Sequence, residues 1–510
     1  MNAIKMTVFA LVLGGMAMGC PTDPTDEGDD NDNTPTYVKK LQGRSNGNAR
    51  AATLAHALDQ YQKFEALTRD AQLLNDDNRF VVPLSTEEHN DLYTSDEECA
   101  TCPAGKAADR VGLNMKTEYR FDFKEVNAER LSTSMQRAAF GTTRITKNDS
   151  FVWSTAIEVP DAGAVRVHFV DFDFPQGAEL YMYSDYGDVF GPETAQGTWE
   201  DGEFWSNVIM GETVYLEVRF PRKPSQEELN QIQFTVDEVV HMRNDRFQVT
   251  GEKMGYVISL DKWTNCMRDA SCYGAGTVTD DAKDATAAMI YSSGGGQYVC
   301  TGALVNNAKQ DLTPYFMTAN HCIGTDTEAR SLNLVWKFKT RTCDNNGDHR
   351  FIDYTGYRQT RGANLIKTSD FTQIDYSLLR LQQNPPAGSY YLGWDASKNY
   401  ATNHVGNTLW RISHPRGAMQ SYSEHKVVEM PNRTTFQVGN DFAQVATRIW
   451  TNGQFGESLP GSSGAILFNY DGLIVGVVST GDTRSCSASG ESDGSLYQFY
   501  NAVKNQIAKR

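Results

Sequence analysis

Between residues 116 and 221 apolar side chains return at every second position, as in Val214, Leu216, Val218 and Phe220, which alternate with Tyr215, Glu217 and Arg219. A period of two puts one set on each face of a pleated strand, so this stretch reads as half-buried sheet. Val165, Val167 and Phe169 keep the rhythm, and the phase slips before Phe172 and Phe174, as an extra residue in a strand would make it do. The region predicts a β-sandwich over 116–245. Many short β-like runs separated by Gly, Asn and Asp follow from about 255 to the end, so the fold class is all-β dominated. Helical spacing is confined to three places. Leu54, Leu58, Tyr61, Phe64 and Leu67 predict one amphipathic helix within the helical or irregular segment 45–115, Ser225-x-x-Glu228 after Pro224 reads as a capping box, and Tyr500, Val503 and Ile507 share a face of a terminal helix. Residues 241–259, with Arg243, Arg246 and Lys253, read as an interdomain connection.

At 510 residues the chain is long enough for two to four domains at roughly 100–200 residues each. Its 64 acidic and 47 basic residues leave a net charge of -17, which repels a phosphate backbone and argues against a nucleic-acid partner. Lys5 precedes the uncharged run Met6–Met18 and then Gly19-Cys20, the order of an export signal over 1–19. That run is shorter than the roughly 20 apolar residues needed to span a bilayer. Ala17-Met18-Gly19-Cys20 resembles the bacterial lipoprotein cleavage box, which implies a lipid on Cys20 and membrane anchoring; a plain secretory signal is the alternative. The segment 20–44 is expected to be an acidic tether, because residues 21–36 hold six acids, no base and almost nothing apolar. With Cys20 set aside eight cysteines remain, an even number suited to disulfides in an oxidising compartment.

Acyl transfer at neutral pH needs a hydroxyl nucleophile, a base, a carboxylate that orients the base, and donors for the oxyanion. Gly461-Ser462-Ser463-Gly464 places a serine between small residues, so that the Gly461 and Ser463 amides can point at a developing oxyanion; as plain turn chemistry it would mean nothing. His321 follows the apolar run Tyr315-Phe316-Met317 and precedes a half-cystine, Cys322. Asp375 opens the apolar run Tyr376–Leu381, where a buried carboxylate needs a partner and an imidazole N–H is a suitable one. Asp370 competes for the same role. Cys99-x-x-Cys102 reads as a small disulfide, with a redox site or a metal half-site as alternatives.

Taken together, Thr318-Ala319-Asn320-His321-Cys322, Asp375-x-x-Leu378-Leu379 and Gly461-x-Ser463-Gly464, in this order, resemble the chymotrypsin-like serine proteases. Cys300-Thr301-Gly302, Leu304-Val305-Asn306-Asn307, Gly393-Trp394-Asp395 and His414-Pro415 with Gly417 are similar to the bacterial lysyl endopeptidase branch, over about 261–497. The resemblance implies a double β-barrel protease over 255–510, preceded by a separate β-sandwich-like pro-domain. It implies His321, Asp375 and Ser463 as a triad, Gly461 and Ser463 as the oxyanion hole, and bridges Cys266–Cys486, Cys272–Cys343 and Cys300–Cys322. No metal or organic cofactor is called for. The partners are polypeptide substrates and the chain's own N-terminal region, and the location is outside a bacterial cell, lipid-anchored at the envelope or secreted.

An acid in the primary pocket would select a substrate Lys or Arg. Glu457, six residues before Ser463, matches the pocket acid of trypsin-like relatives; Asp493 matches that of lysyl endopeptidases and is the preferred choice. Ser479 stands where that branch has a pocket-side histidine, and Trp450 is a candidate for the pocket wall or for plain core. Ser462 replaces the aspartate that pairs with a new N-terminus in trypsin-like zymogens, so that switch is expected to be absent. The resulting expectation is an exported serine endopeptidase cleaving after basic residues, a zymogen with its own pro-region. The competing readings are an inactive protease fold and a surface-binding lipoprotein working through its sandwich.

Overall fold

The computed structural model describes residues 49–70, 79–94, 109–250 and 266–509, apart from 188, 275, 341, 344–349, 352–357, 439–440 and 482–489, together with short strands at 43–44 and 257–259. The proposed signal, Cys20, the acidic tether up to residue 42 and Cys99-x-x-Cys102 lie outside these residues. Among them, no helix is long and apolar enough to cross a membrane.

The period-two region folds as two packed sheets. One carries Phe204–Trp205, Ala162–Asp173, Gln233–Arg243 and Asp109–Asp122 in that order; the other carries Gln136–Ala138, Gly141–Ile145, Phe151–Glu158, Thr213–Phe220, Glu179–Tyr183 and Val189–Glu193. Between them Phe121, Trp153, Val167, Phe169, Leu216 and Phe234 are fully buried, the inward set of the alternation. The phase slip is a register shift, since Val170 stands opposite Thr235 while Asp173 stands opposite Gln233. The Ser225 capping box forms in full around the Gln226–Gln231 helix. The Ala49–Asp70 helix is less amphipathic than its spacing suggested: Leu67 is buried and Phe64 half-buried against Tyr183, but Leu58 and Tyr61 face water.

The sandwich keeps its own core, yet its inner sheet does not end there. Asp109–Asp122 pairs antiparallel with Gly296–Val305, so a single sheet runs onward through Thr286–Ser293, Asn333–Trp336 and Arg358–Arg361. With Tyr315–Thr318, Tyr376–Leu381 and Ala363–Ser369 these strands enclose Leu304, Phe316, Leu334, Trp336 and Leu379, forming the first barrel-like half of the region beyond about residue 266. The second half is a closed barrel of Thr408–Ser413, Ser421–Val427, Arg448–Phe455, Gly490–Ser495, Ile474–Gly481 and Ile466–Phe468 around Leu409, Ile449, Leu467 and Val478. A third core joins the halves: Met317 and Leu378 of the first meet Ile412, Phe468 and Val477 of the second. The Leu496–Ile507 helix closes this seam with Tyr500, Val503 and Ile507, the face expected from its spacing, and adds Phe499.

Candidate active site

Strand pairing assembles the base and the acid. Thr318 stands opposite Ser377 in the antiparallel pair of Tyr315–Thr318 and Tyr376–Leu381, so the residue three beyond the first and the residue two before the second emerge at one end. There the carboxylate of Asp375 accepts the His321 backbone N–H at 2.9 Å on Oδ1 and the ring Nδ1 at 2.8 Å on Oδ2. Asp375 sits at φ +63°, a left-handed conformation that Asp tolerates better than other non-glycine residues. Asp370 is on the surface, capping its own turn through Thr372, and does not compete.

Burial alone would raise the Asp375 pKa. The His321 charge and hydrogen bond, the Arg448 guanidinium and the Ser479 hydroxyl outweigh it and bring the carboxyl down to about 2. An ionised carboxylate only accepts, so Nδ1 carries a proton, and in the neutral ring Nε2 is the nitrogen left with a lone pair. His321 Nε2 is buried without a hydrogen-bond partner among the described residues. Ser479 donates to Asp375 Oδ2, and Arg448 donates to Ser479 Oγ and to the Phe371 carbonyl while standing 3.8 Å from Asp375 Oδ2. The edge of Phe371 meets the imidazole with ring centroids 6.1 Å apart.

The nucleophile loop reaches this place from the second barrel. Thr301 N–H donates to Ser463 O at 2.8 Å, Thr301 Oγ1 donates to Gly461 O at 2.9 Å, and Thr318 Oγ1 donates to Thr301 O at 2.8 Å, linking the loop to the strand that leads into His321. A Cβ on Gly464 would lie 2.1 Å from Thr318 Oγ1 and 2.9 Å from Ala319 N, so only glycine allows the approach. Gly461, at φ +96°, packs so closely on the His414–Gly417 turn that a Cβ would lie 2.7 Å from the Arg416 nitrogen. Neither the Gly461 nor the Ser463 amide donates to an acceptor among the described residues, as an oxyanion site requires. The hydroxyl and Nε2 make no direct bond here; such bonds are often long before substrate arrives and tighten on binding.

The pocket candidates separate. Asp493 is fully buried, and its Oδ2 accepts from Arg411 Nη2 at 3.1 Å and from Thr451 Oγ1 at 3.2 Å. The same guanidinium donates to Glu491 and, at 2.9 Å, to Ser458 Oγ. Asp493 therefore already has an internal counter-ion. Glu457 has no hydrogen-bond partner among the described residues, and burial pushes its carboxyl upward against the pull of Arg411. Trp450 packs edge-on against Phe436, centroids 4.9 Å apart, and donates to Val445 O, the packed-core alternative. Ser479 lies behind Asp375, between it and Arg448.

The bridges Cys272–Cys343 and Cys300–Cys322 are formed. Cys266 is also disulfide-bonded, and Cys486 lies outside the described residues. Cys300, His321 and Cys322 cluster closely, but the two sulfurs are bonded to each other and are not free thiolate ligands.

Residues 260–498 match the family model described as lysyl endopeptidase, C-terminal domain. This part of the chain is similar to lysyl endopeptidase C-terminal domains. The lysyl endopeptidase of Pseudomonas aeruginosa is 32% identical over 228 residues, which cover 44% of this chain and 46% of that protein. Secreted RxLR effector protein 73 of Plasmopara viticola is 24% identical over 44% of this chain and 53% of its own length. The chain thus spans about half the length of the curated relatives it matches. Among solved structures, the MamO protease domain of Magnetospirillum magneticum is 14% identical, with TM-score 0.30 over 44% of this chain and 97% of its own. The serine endoprotease from Yersinia pestis gives 14% and 0.30 over 45% of this chain and 65% of its own.

Three side chains of this region escaped the sequence reading. Arg411 shares the inward face of Leu409, and Arg448 lies on the face opposite Ile449, buried against Phe371; charge alone would have assigned both to the surface. Ser479 was noticed only as a missing histidine.

Proposed function

We propose that the chain is an exported serine endopeptidase that cleaves after basic residues through an acyl-enzyme. The observation that carries this is the buried Asp375–His321 pair, 2.8 Å apart, with Nε2 unpartnered and the Gly461 and Ser463 amides donating to no acceptor among the described residues. Ser463 Oγ attacks the peptide carbonyl while His321 Nε2 takes its proton and returns it to the leaving amine. Asp375 holds the tautomer and faces the imidazolium as it forms. The Gly461 and Ser463 amides receive the oxyanion. Glu457 is favoured as the acid that meets a substrate Lys or Arg, because Arg411 already compensates Asp493. Export is supported by the leader-like first twenty residues and by the disulfides, and the finer reading is a lipid on Cys20. The segment before about 255, sandwich included, is taken as a pro-region that accompanies folding of the protease half.

The test is to incubate the purified protein with a denatured protein mixture, map the new termini by mass spectrometry and repeat with Ser463→Ala. Cleavage after Lys or Arg that vanishes in the variant is expected. Termini scattered over apolar or acidic residues would remove the basic pocket, and absence of both cleavage and phosphonylation of Ser463 would leave an inactive fold.

A further inference from the structure

The junction between sandwich and protease is built like the interior of one protein. Asp109–Asp122 adds to the sheet at Gly296–Val305, with Leu113 opposite Gly296 and Asp109 opposite Val299, covering an edge that would otherwise stay open to water. Across it Val111, Val208 and Met242 of the sandwich share one buried cluster with Ile290, Val335 and Phe338 of the protease. Two guanidinium groups cross in opposite directions. Arg166 of the sandwich, fully buried, donates to Gln297 Oε1 and to Ser331 O, each at 2.7 Å. Arg361 of the protease donates to Trp205 O at 2.7 Å and to the Glu193 carboxylate. Gln359 brackets the Val208 peptide, accepting its N–H at 3.1 Å and donating to its carbonyl at 2.9 Å. Separation would open a sheet edge, an apolar face and two buried cation sites at once.

The partners of the triad come from elsewhere. His321, Asp375 and Ser463 bond to one another's segments, to Thr301, Ser479 and Arg448, and to nothing in the sandwich among the described residues. The sandwich does reach towards the oxyanion side: Arg246 donates to Asp109 Oδ1 at 3.1 Å and to the carbonyl of Arg416 at 3.4 Å, in the turn that Gly461 packs against.

We infer that the N-terminal sandwich is a permanent subunit of the enzyme. Once the connector is cut it stays bound to the protease half, neither leaving as a released pro-region nor plugging the cleft. This deepens the endopeptidase reading and rests on it for the second of the two measurements below.

A recognition sequence for an unrelated site-specific protease is inserted between Thr250 and Val257 of the full chain, and the folded protein is cut and run by size-exclusion chromatography with light scattering. Both fragments should elute together at the mass of the uncut chain, and Ser463 should be phosphonylated by a fluorophosphonate at an unchanged rate. Fragments that elute separately overturn the inference, and so does labelling that speeds up on cutting, the mark of a plug removed. Asn207 also donates across the junction, to Asn333 Oδ1 at 3.1 Å, and the double variant Asn207→Ala with Gln359→Ala trims polar bridges without leaving a buried charge unpaired. It should make the cut complex come apart at lower urea than the cut parent, and an unshifted midpoint counts against the interface. An uncut chain that takes no label defeats the peptidase reading alone, since elution still decides the fate of the sandwich.

Discussion

At the scale of single residues, the site is a buried acid held by more donors than a histidine alone supplies. Ser463→Ala should lower kcat/KM by at least about 10⁴-fold while leaving the fold intact, checked by steady-state kinetics beside circular dichroism. Asp375 also sets a limit in acid. Its folded pKa, about 2, lies below the unfolded value of about 3.9, so the stability it contributes is fully present above the unfolded value and is lost as pH falls through the folded one. Chemical denaturation between pH 5 and pH 2 should therefore fall more steeply for the parent than for Asp375→Asn; parallel curves would contradict the ionised pair. The meeting of His321 and Asp375 was legible in the sequence because each lies in a short motif at the end of an apolar strand. Ser479 was not, because its role depends on which strand register brings it behind Asp375, and register is written in no local motif.

At the scale of elements, the inward faces of the second barrel carry a candidate pocket acid and its internal counter-ion. Arg411 serves Asp493, Glu491 and Ser458 from a single strand, so Glu457→Gln should cost Lys and Arg substrates about 10²-fold in kcat/KM, while Asp493→Asn should mainly lower stability. Matched peptides with Lys, Arg or Leu before the scissile bond would show the reverse order if Asp493 were the partner of substrate. Glu491 adds a pH signature. Burial raises its carboxyl to about 7 despite Arg411, with Asp493 adding repulsion. A folded pKa above the unfolded value of about 4.3 means stability present at low pH and lost as pH rises through about 7, a slope that Glu491→Gln should flatten in thermal melts. Strand existence, the Ser225 cap and the Leu496–Ile507 helix could be read from periodicity, which reports one face at a time. Periodicity is silent on a charged residue turned inward, because the count alone cannot say that an acid waits opposite.

At the scale of the whole molecule, the shared sheet predicts cooperativity. Calorimetry should give one unfolding transition for sandwich and protease together, and two resolved peaks would show that the junction is not part of a common core. Replacing both Cys300 and Cys322 by Ala should lower that transition, by about 3 kcal/mol for a loop of 22 residues. The sequence led to a sandwich and to a protease, but not to their fusion, because main-chain pairing between Asp109–Asp122 and Gly296–Val305 carries no side-chain code and its cross-bridging arginines look like any others. The point where the two barrels touch has a consequence of its own. Since Gly464 leaves no room for even one methyl beside Thr318 Oγ1, the gap between alcohol and imidazole is gauged by hard contact rather than by mutual attraction, much as a shim sets the clearance of two machined parts. Thickening the shim with Gly464→Ala should slow acylation while both barrels stay folded.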